Sequence, residues 1–394
     1  MKVVYVLSSY KALGGASKAF KSMLSGLMQL GIEPLVVMPG HGELTEELEQ
    51  MGVQTLSLNY RFATYPEWNT LRNKILFIPR LLFWQCLNMI ACRKLLHLLR
   101  GKGIALIHTN VGVVDVGFHV ARQLGIPHIY HIREYADLDF NLHYFPTKRC
   151  FHHQLSAPAS YSICITKDIQ NHHGQATSFS SRVIYDGIQS AKEVCPPFKM
   201  GESLLFAGRI EHTKGLDILL KAYAKCMERD IIMPSLLVAG RLTTGRYLDN
   251  ILELIRQHHL SSLVKILGER SDIEILMRKA RALVVPSRHE GFGLCMPEAM
   301  FNRCLVIAHD TAGTHEQLEN GVCETGLDIA LRFNTIDQLA DCLIQVCNAS
   351  SHDYDEMTKR AFNVVNQLYS IEAHVSRVFQ FYQDILKAER RNRE

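Results

Sequence analysis

Short apolar runs rich in β-branched residues alternate along the chain with segments whose apolar residues recur at helical spacing. In the first half, the pattern predicts β-strands at residues 3–7, 35–38, 104–108, 128–132, 162–166 and 182–185. Between the first two strands, residues 16–30 place four apolar side chains on one helical face, at Phe20, Met23, Leu24 and Leu27. This alternation is typical of a parallel sheet covered by helices, so we predict a doubly wound α/β domain.

The second half repeats the scheme after a break at Cys195-Pro196-Pro197-Phe198. Its predicted strands are residues 203–207, 236–239, 264–267, 283–285 and 305–308. We therefore predict an N-terminal Rossmann-like domain at residues 1–194, a linker at 195–202 and a second Rossmann-like domain at 203–370. Apolar residues share one helical face in residues 371–394, which predicts a last helix that packs back on the body.

Length, charge and cysteine content exclude several classes of protein. With 394 residues, 47% of them hydrophobic and 21% charged, the chain has the composition of a globular protein of two domains. A net charge of +4 is too even for a nucleic-acid-binding surface, so we expect no nucleic acid partner. The 11 cysteines form no C-x-x-C pair, and the first apolar run is too short for a signal peptide. We therefore predict reduced thiols and a cytoplasmic location.

The loop after predicted strand 203–207 suits a phosphate group. It runs from Gly208 to Gly215, carries Arg209 and Lys214, and precedes a predicted helix. At about 4 Å and an effective dielectric near 20, each cation is worth on the order of 4 kcal/mol to an anion. The helix dipole adds only about 0.3–2 kcal/mol, so the two side chains should dominate. The alternative is a solvated loop whose basic residues bind nothing.

Two carboxylates flank a glycine turn after predicted strand 283–285. Glu290 stands before Gly291-Phe292-Gly293, and Glu298 follows Pro297 in what should be the first turn of a helix. Ionised carboxylates make strong hydrogen bonds to sugar hydroxyls. Favourable placement at a helix N-terminus is the structural alternative for Glu298.

These two loops resemble a known family. The spacing of Glu290 and Glu298 is similar to the E-x7-E signature of retaining family-4 glycosyltransferases (glycosyl transferases group 1), and Arg209 with Lys214 resembles the phosphate-binding pair of that family. The resemblance extends from the first strand to about Leu386. It implies the GT-B fold, in which two Rossmann-like domains face each other across a cleft, the first for the acceptor and the second for a nucleoside-diphosphate-sugar donor. It also implies retaining sugar transfer to a hydroxyl acceptor, which we expect to be a lipid-linked or polysaccharide precursor.

The resemblance also implies roles for individual residues. Arg209 and Lys214, beside Gly208, would hold the donor diphosphate, and Glu298 would bind the ribose. Glu290 and the following amides would contact the transferred sugar; these amides belong to Gly291, Phe292, Gly293 and Leu294. The residues further from these loops that resemble family positions are Gly14, Gly15, His131, Asp186 and, as a weaker donor-binding candidate, Glu316.

The chain departs from the family pattern in two places. The family often has Gly-Gly-x-Pro-Glu where this chain has Ala312-Gly313-Thr314-His315-Glu316, and Asp186 replaces a residue that is usually Asn. The first departure removes a glycine and a proline from the segment that precedes Glu316.

We expect no metal ion and no other cofactor. The D-x-D strings at Asp137-Leu138-Asp139 and Asp353-Tyr354-Asp355 lie in polar stretches, and two acids alone do not supply the roughly six oxygen ligands of a hard cation. Two other classes of protein stay open: a nucleotide-sugar epimerase, and a non-catalytic nucleotide-sugar-binding protein associated with membranes.

A basic and apolar segment lies at residues 72–102. No Asp or Glu occurs between Trp68 and Val114, whereas seven Lys and Arg residues do. Polar residues interrupt the apolar run too often for a transmembrane span. Two interpretations remain: a peripheral contact with an anionic membrane surface on its cytoplasmic face, or an apolar face packed on the first sheet beneath solvated cations.

Overall fold

The structure is a computed structural model that describes residues 1–12, 15–242 and 245–391. It divides into two compact units, Met1–Gly187 with Ile371–Glu394, and Ile188–Ser370. Each unit contains one parallel sheet with helices around it, so the predicted fold class of two Rossmann-like domains is confirmed.

The strands are parallel within each sheet. In the first unit the seven described strands lie in the order β3-β2-β1-β4-β5-β6-β7, and in the second the six lie in the order β10-β9-β8-β11-β12-β13. Their bounds are β1 (Lys2–Val6), β2 (Glu33–Met38), β3 (Gln54–Ser57), β4 (Leu106–Thr109), β5 (His128–Ile132), β6 (Ser160–Cys164), β7 (Ser181–Val183), β8 (Ser203–Ala207), β9 (Leu236–Ala239), β10 (Val264–Gly268), β11 (Ala280–Val285), β12 (Val306–His309) and β13 (Leu331–Phe333).

Helices connect the strands on both sides of each sheet. They are α1 (Gly15–Gln29), α2 (Glu43–Gln50), α3 (Leu71–Ile75), α4 (Phe77–Leu99), α5 (Val116–Leu124), α6 (Asp137–Phe140), α7 (Lys148–Leu155), α8 (Lys167–His172), α9 (Leu216–Glu228), α10 (Arg246–Gln257), α11 (Ile273–Lys279), α12 (Cys295–Phe301), α13 (Ala312–Thr325), α14 (Ile336–Asn348), α15 (Ser351–Leu368) and α16 (Ile371–Arg391).

Buried apolar strands form the centre of each core. β1 and β8 read KVVYV and SLLFA, and each has a strand on both sides, so most of their side chains are buried. Strands covered by helices on both faces become continuous apolar runs, which is why the pattern located them so well.

The sequence pattern missed two strands, and both lie at sheet edges. β3 (QTLS) and β13 (LRF) are short, and each pairs with a single neighbour. An edge strand needs no continuous apolar run, because solvent reaches one side of it. β6 also lies earlier than predicted, since the Thr166 hydroxyl accepts a hydrogen bond from the amide of Ile169 and begins α8.

The last helix, which was predicted to pack back on the body, belongs to the first unit. Val375, Val378, Phe381, Tyr382 and Ile385 of α16 pack into a core cluster built on β1 and α1. The backbone at position 187 passes so close to the start of α16 that it requires glycine, because a Cβ there would lie 2.8 Å from the Cα of Ile371. Gly187 and Ile371 therefore lie against each other although about 180 positions separate them.

Residues 195–202, where the linker was predicted, contain no helix or strand. Arg303 holds this stretch within the second unit, since its guanidinium donates hydrogen bonds to the Cys195 sulfur at 2.8 Å and to the Pro196 carbonyl at 3.3 Å. The division between the compact units falls earlier, after Gly187.

The first testable prediction concerns the packing of α16. Ile385 is 2% exposed, whereas Ile75 in α3 is 69% exposed. We expect Ile385→Ala to reduce the free energy of unfolding by about 2–5 kcal/mol, because it leaves a cavity in the first core. The matched variant Ile75→Ala should change it by less than about 0.5 kcal/mol. Chemical denaturation of the full chain measures both, and equal effects would contradict the assignment of α16 to this core.

Candidate functional site

The two candidate loops of the second unit follow neighbouring strands. β8 and β11 are adjacent, but the chain continues from β8 to β9 on one side of the sheet and from β11 to β12 on the other. Such a reversal opens a crevice beyond the carboxyl ends of the two strands, where open α/β sheets bind ligands. The loop of Gly208–Gly215 and the loop that begins at Ser287 therefore meet at this point.

Glycine allows the two loops to pack tightly. Lys214 ends a 3-10 turn of residues His212–Lys214, and Gly215 follows with a φ of +69°. A Cβ at Gly215 would lie 2.0 Å from the Pro286 carbonyl oxygen, and one at Gly240 would lie 1.9 Å from that of Gly208. Larger residues at Gly215 and Gly240 would push the backbones apart and displace Lys214.

Lys214 and Glu290 form an ion pair at the centre of the site. The Lys214 Nζ donates to both carboxylate oxygens of Glu290 at 2.7 Å, and the Ser287 hydroxyl donates to Oε1 at 2.8 Å. Glu290 is buried and Lys214 is half-buried. Partial burial strengthens this attraction relative to a surface pair, and the hydroxyl supports the carboxylate on one side.

Arg209 lies on the more open side of the site. Its guanidinium contacts the Glu211 carboxylate at 3.0 Å, and about half of its side chain is exposed. The amide of Gly208 belongs to the sheet edge, where it donates to the Ala239 carbonyl at 2.9 Å. The exposed guanidinium can therefore reach an anion without displacement of a buried partner.

Helix α13 holds the turn after Glu290 in place. The Gly313 amide donates to the Glu290 carbonyl at 3.0 Å, and a Cβ on Gly313 would lie 2.6 Å from the Gly291 carbonyl oxygen. Gly293 has a φ of +82°, and Phe292 is buried edge-on against Tyr369 with ring centroids 5.2 Å apart. The Gln317 amide group donates to the Phe292 carbonyl. The turn is thus anchored on both sides before Leu294, which caps α12.

The remaining carboxylates lie on two helices. Glu298 occupies the first turn of α12 and is half-buried, while Glu316 is buried in α13. The chain departs from the family pattern at Ala312, which has a φ of +46°. An L-residue is strained in this left-handed region, and glycine is not. The backbone therefore keeps a path suited to glycine although the sequence has alanine.

The sequence analysis missed a polar clamp beside Lys214. Arg288 donates to both carboxylate oxygens of Asp217 at 2.9 and 2.7 Å and to the His212 carbonyl at 2.7 Å. The Tyr247 hydroxyl donates to Asp217 at 2.8 Å. Burial opposes ionisation of Asp217, but these hydrogen bonds outweigh it and lower the pKa of its carboxyl. Arg288 stands in the same Ser-Arg-His-Glu string as Glu290, a proximity that could have indicated a role in joining the loops.

In the first unit, Gly14 lies outside the described residues and Gly15 is the first residue of α1. The corresponding reversal of strand order in this sheet lies between β1 and β4. Residues 7–12 therefore follow one of the strands at the reversal, where the crevice of such a sheet opens.

His131, at the end of β5, lies in a buried polar network. Its Nδ1 is 3.2 Å from Nε2 of His108, whose Nδ1 is 2.5 Å from the Tyr382 hydroxyl of α16. Burial, with the nearby charge of Arg133, lowers the pKa of His131 and of His108 well below the usual value, so both rings are neutral. The predicted contact of His131 with the donor sugar stays a prediction.

Arg133 explains why the chain has Asp rather than Asn at position 186. Its guanidinium donates to both Asp186 carboxylate oxygens, at 2.8 Å from Nη2 and at 3.1 Å from Nε, and to the Asn110 side chain at 2.5 Å. Both charged side chains are almost fully buried. An asparagine would leave a buried cation without a counter-ion, which is strongly destabilising.

Glu134 is a buried carboxyl that the sequence analysis also missed. Its two oxygens accept hydrogen bonds from the backbone amides of Gly112 at 2.6 Å and Arg133 at 3.1 Å. Burial raises the pKa of Glu134 to about 7, and the amide hydrogen bonds only partly oppose this shift. A titratable group near neutrality therefore lies at the carboxyl edge of the first sheet.

Within the described ranges, no group of three or more His, Cys, Asp or Glu side chains could hold a metal ion. The two D-x-D strings serve other purposes. Asp137 binds Lys148 and His172, and Asp353 accepts hydrogen bonds from Ser350 at the start of α15. The prediction that the protein needs no metal ion stays a prediction.

Comparisons with known proteins agree with this fold. Residues 189–364 match the family model of glycosyl transferases group 1. An uncharacterized glycosyltransferase of Methanocaldococcus jannaschii is 28% identical over 300 residues, which are 73% of this chain and 81% of that protein. The lipopolysaccharide core biosynthesis mannosyltransferase LpcC of Rhizobium leguminosarum is 34% identical over 125 residues, or 31% of this chain and 35% of that protein.

A solved structure extends the similarity to the full fold. The crystal structure of Anabaena HepE in complex with UDP matches 98% of this chain and 100% of its own chain, with a TM-score of 0.74 and 19% sequence identity. This likeness shows the fold, so the predicted GT-B fold is confirmed. The matched residues 189–364 lie in the second unit, and the predicted resemblance of the chain to glycosyl transferases group 1 is confirmed.

The second testable prediction concerns the titration of Glu134. The folded chain holds this proton up to about pH 7, whereas the unfolded chain releases it near pH 4.3. The stability that Glu134 contributes is therefore present at low pH and is lost as the pH rises through about 7, because the folded state binds more protons. Between pH 5 and pH 8, we expect the melting temperature of the wild type to fall relative to that of Glu134→Gln. The fall corresponds to a loss of about 1–3 kcal/mol in the free energy of unfolding.

The control for loss of one carboxylate is Glu33→Gln, since Glu33 is exposed on β2 of the same unit. Thermal melting of all three proteins across this pH range measures the difference. A wild-type advantage over Glu134→Gln that grows with pH would contradict a carboxyl held protonated by burial.

Proposed function

We propose that this protein is a retaining glycosyltransferase that moves a sugar from a nucleoside-diphosphate-sugar to a hydroxyl acceptor of a lipid-linked or polysaccharide precursor. The observation that carries the proposal is the ion pair of Lys214 and Glu290 at the strand-order reversal of the second unit. A cation and a carboxylate held there fit the two halves of such a donor: the cation fits the diphosphate leaving group, and the carboxylate fits the transferred sugar.

Lys214 and Arg209 would stabilise the leaving group. Negative charge grows on the diphosphate as the glycosidic bond breaks, and a fixed cation at that position lowers the barrier more than it strengthens ground-state binding. The clamp of Arg288 on Asp217 and His212 holds the turn that carries Lys214, so the ammonium group needs little reorganisation. Arg209, more exposed, would close on the other side of the phosphates.

Glu290 would orient the transferred sugar through its hydroxyl groups. In front-face displacement, the leaving phosphate oxygen helps to accept the acceptor's proton, so no separate base is required. A role of Glu290 as a covalent nucleophile is less favoured, because a retaining carboxylate pair needs its two groups about 5–5.5 Å apart across the scissile bond and Glu298 would bind the ribose. Glu298 and the amides of Gly291–Leu294 complete the proposed donor site.

The relatives support the substrate classes of the proposal. HepE was solved with UDP, and LpcC is named as a mannosyltransferase of lipopolysaccharide core biosynthesis. A thermal-shift panel of UDP-, GDP-, ADP- and dTDP-sugars would identify the donor, since a ligand that binds only the folded state raises the melting temperature. Product analysis distinguishes the alternatives, because an epimerase changes the donor without an acceptor and a non-catalytic binding protein leaves it intact.

The third testable prediction concerns the ion pair. We expect Lys214→Ala and Glu290→Gln each to reduce donor turnover at least tenfold, about 1.4 kcal/mol in transition-state stabilisation. Turnover is measured as release of nucleoside diphosphate in excess EDTA, because we propose transfer without a metal ion. Activity lost in EDTA and restored by magnesium would refute metal independence.

Lys359→Ala is the matched control, since Lys359 is exposed on α15 of the same unit. Melting temperatures of all variants are needed, because Lys214→Ala leaves the buried Glu290 carboxylate without its cation. Wild-type turnover in either site variant would remove that residue from the mechanism.

We also propose that residues 71–83 contact an anionic membrane surface. No described helix is long and apolar enough to cross a bilayer. The second half of α4 packs on the first sheet through Ala91, Cys92, Leu95, Leu96 and Leu99, so the packing interpretation holds for that half.

The first half of this segment differs. Leu71 and Ile75 of α3, and Ile78 and Leu82 of α4, are exposed and stand four residues apart, so each pair lies on one face of its helix; we call these four residues the apolar stripe. Exposed Arg72 and Lys74 lie beside that stripe. Apolar side chains that enter the interface and cations that meet lipid phosphates are the features of a peripheral membrane helix.

The fourth testable prediction concerns this surface. We expect the protein to co-sediment with phosphatidylglycerol-containing vesicles at low salt and not with pure phosphatidylcholine vesicles. Arg72→Ser with Lys74→Ser should weaken binding by about 2 kcal/mol, or on the order of 30-fold, at roughly 1 kcal/mol for each cation. Ile78→Ser with Leu82→Ser should weaken it as well.

Lys265→Ser with Lys359→Ser removes the same charge from exposed positions of the second unit and should leave binding unchanged. If the wild type stays in the supernatant with anionic vesicles at low salt, the membrane proposal is wrong.

A further inference from the structure

An aromatic cavity of about 740 Å³ lies in the first unit. Its walls include Tyr65, Trp68, Phe77 and Phe140, and its polar lining includes Glu67 and His143. Both Trp68 and Phe140 are more than half exposed. Cavities of this size with aromatic walls and a few polar groups are typical of sites for small organic ligands.

The cavity is built on loops that follow the strands of the first sheet. Residues 58–70 follow β3, and residues 133–146 follow β5. The Tyr65 amide donates to the His143 carbonyl at 2.8 Å, the Phe145 amide to that of Ala63 at 2.9 Å, and the Ala63 amide to Val113 after β4 at 2.8 Å. The cavity is therefore at the carboxyl edge of the sheet, where such folds bind ligands.

The aromatic rings hold one another in place. Phe77 stacks on Tyr65, with ring centroids 5.9 Å apart at an interplanar angle of 11°, and meets Trp68 edge-on at 4.8 Å. The Tyr65 hydroxyl donates to the Pro146 carbonyl at 3.0 Å. Rings fixed by neighbours offer flat contact area with little loss of conformational entropy on binding.

We propose that this cavity is a subsite for a neutral saccharide of the acceptor, a proposal that rests on the proposed function. The C–H face of a sugar ring carries partial positive charge and packs on the negative face of an aromatic ring, while its hydroxyls need polar partners. Glu67, Asn69, Asn141 and His143 supply such partners at the lining. Asn69 already donates to Glu67 at 3.0 Å, which orients this carboxylate.

A lipid chain fits the cavity less well. It would cover the four polar side chains and supply no hydrogen-bonding group of its own, at a cost of about 1–3 kcal/mol for each polar group left unsatisfied. A phosphate group also fits poorly, because the lining residues of the described chain include a carboxylate and neither Lys nor Arg. None of the four residues of the apolar stripe lines the cavity, so the lipid portion of an acceptor would have a separate surface.

The two tryptophans allow a direct test of the cavity. The chain contains only Trp68 and Trp84. Trp84→Phe therefore leaves Trp68, at the cavity, as the single tryptophan of the chain, and Trp68→Phe leaves Trp84 on α4 as the matched control. The probes are maltose, α-mannobiose, lactose and N,N′-diacetylchitobiose at millimolar concentration, with monomeric dihexanoylphosphatidylcholine as the lipid-chain probe.

We expect at least one disaccharide to change Trp68 emission saturably in Trp84→Phe and to leave the emission of Trp68→Phe unchanged. A response to the phospholipid with none to any disaccharide would overturn the proposal in favour of a lipid site. The absence of any response, or equal responses in both variants, would overturn it too.

A kinetic measurement separates this proposal from the proposed function. Trp68→Ala should raise the KM for the acceptor about three- to tenfold and leave the KM for the donor unchanged. Phe179→Ala is the control, since Phe179 is a fully exposed aromatic residue of the same unit. If the wild type releases no nucleoside diphosphate, the proposed function fails, and the fluorescence measurement still decides whether the cavity binds sugars.

Discussion

The proposed chemistry depends on one electrostatic contact, the pairing of the Lys214 ammonium with the Glu290 carboxylate. Each residue sits on a loop that follows a central strand, and the two strands are neighbours at the point where strand order reverses. A buried carboxylate without a cation would be costly, and a lysine without an acid would move with its flexible side chain. The ion pair thus holds both groups in position before the donor binds. A diphosphate that binds there would contact an ammonium group that Glu290 already positions.

The surrounding residues hold the loops that carry Lys214 and Glu290 in position. Ser287 supports the carboxylate, Arg288 and Asp217 hold the lysine's turn, and the amide of Gly313 holds the turn after Glu290. The glycines at positions 215 and 313 permit backbone approaches that a Cβ would prevent. A site of this kind is sensitive to small backbone changes, because hydrogen bonds and charge attraction weaken over fractions of an ångström to a few ångströms.

The first unit contains two adjacent networks of buried polar side chains. His108, His131 and Tyr382 form a neutral buried network, and Arg133 with Asp186 forms a charged one beside it. Through Tyr382, the last helix of the chain takes part in the network as well as in the hydrophobic core. Asp186 stands where the family it resembles usually has Asn, because its negative charge balances the buried positive charge of Arg133. The sequence alone could not reveal it, because Arg133 and Asp186 are 53 positions apart.

Much of the fold could be predicted from the sequence, since central parallel strands are continuous apolar runs and their helices have one apolar face. The glycosyltransferase resemblance was likewise readable, because Lys214, Glu290 and Glu298 stand at short, regular distances from strand ends. The edge strands β3 and β13, the clamp of Arg288 on Asp217 and the raised pKa of Glu134 were not readable. They depend on which segments become neighbours and on how far water is excluded, and tertiary packing alone decides both, as it does for the aromatic cavity between loops about 80 residues apart.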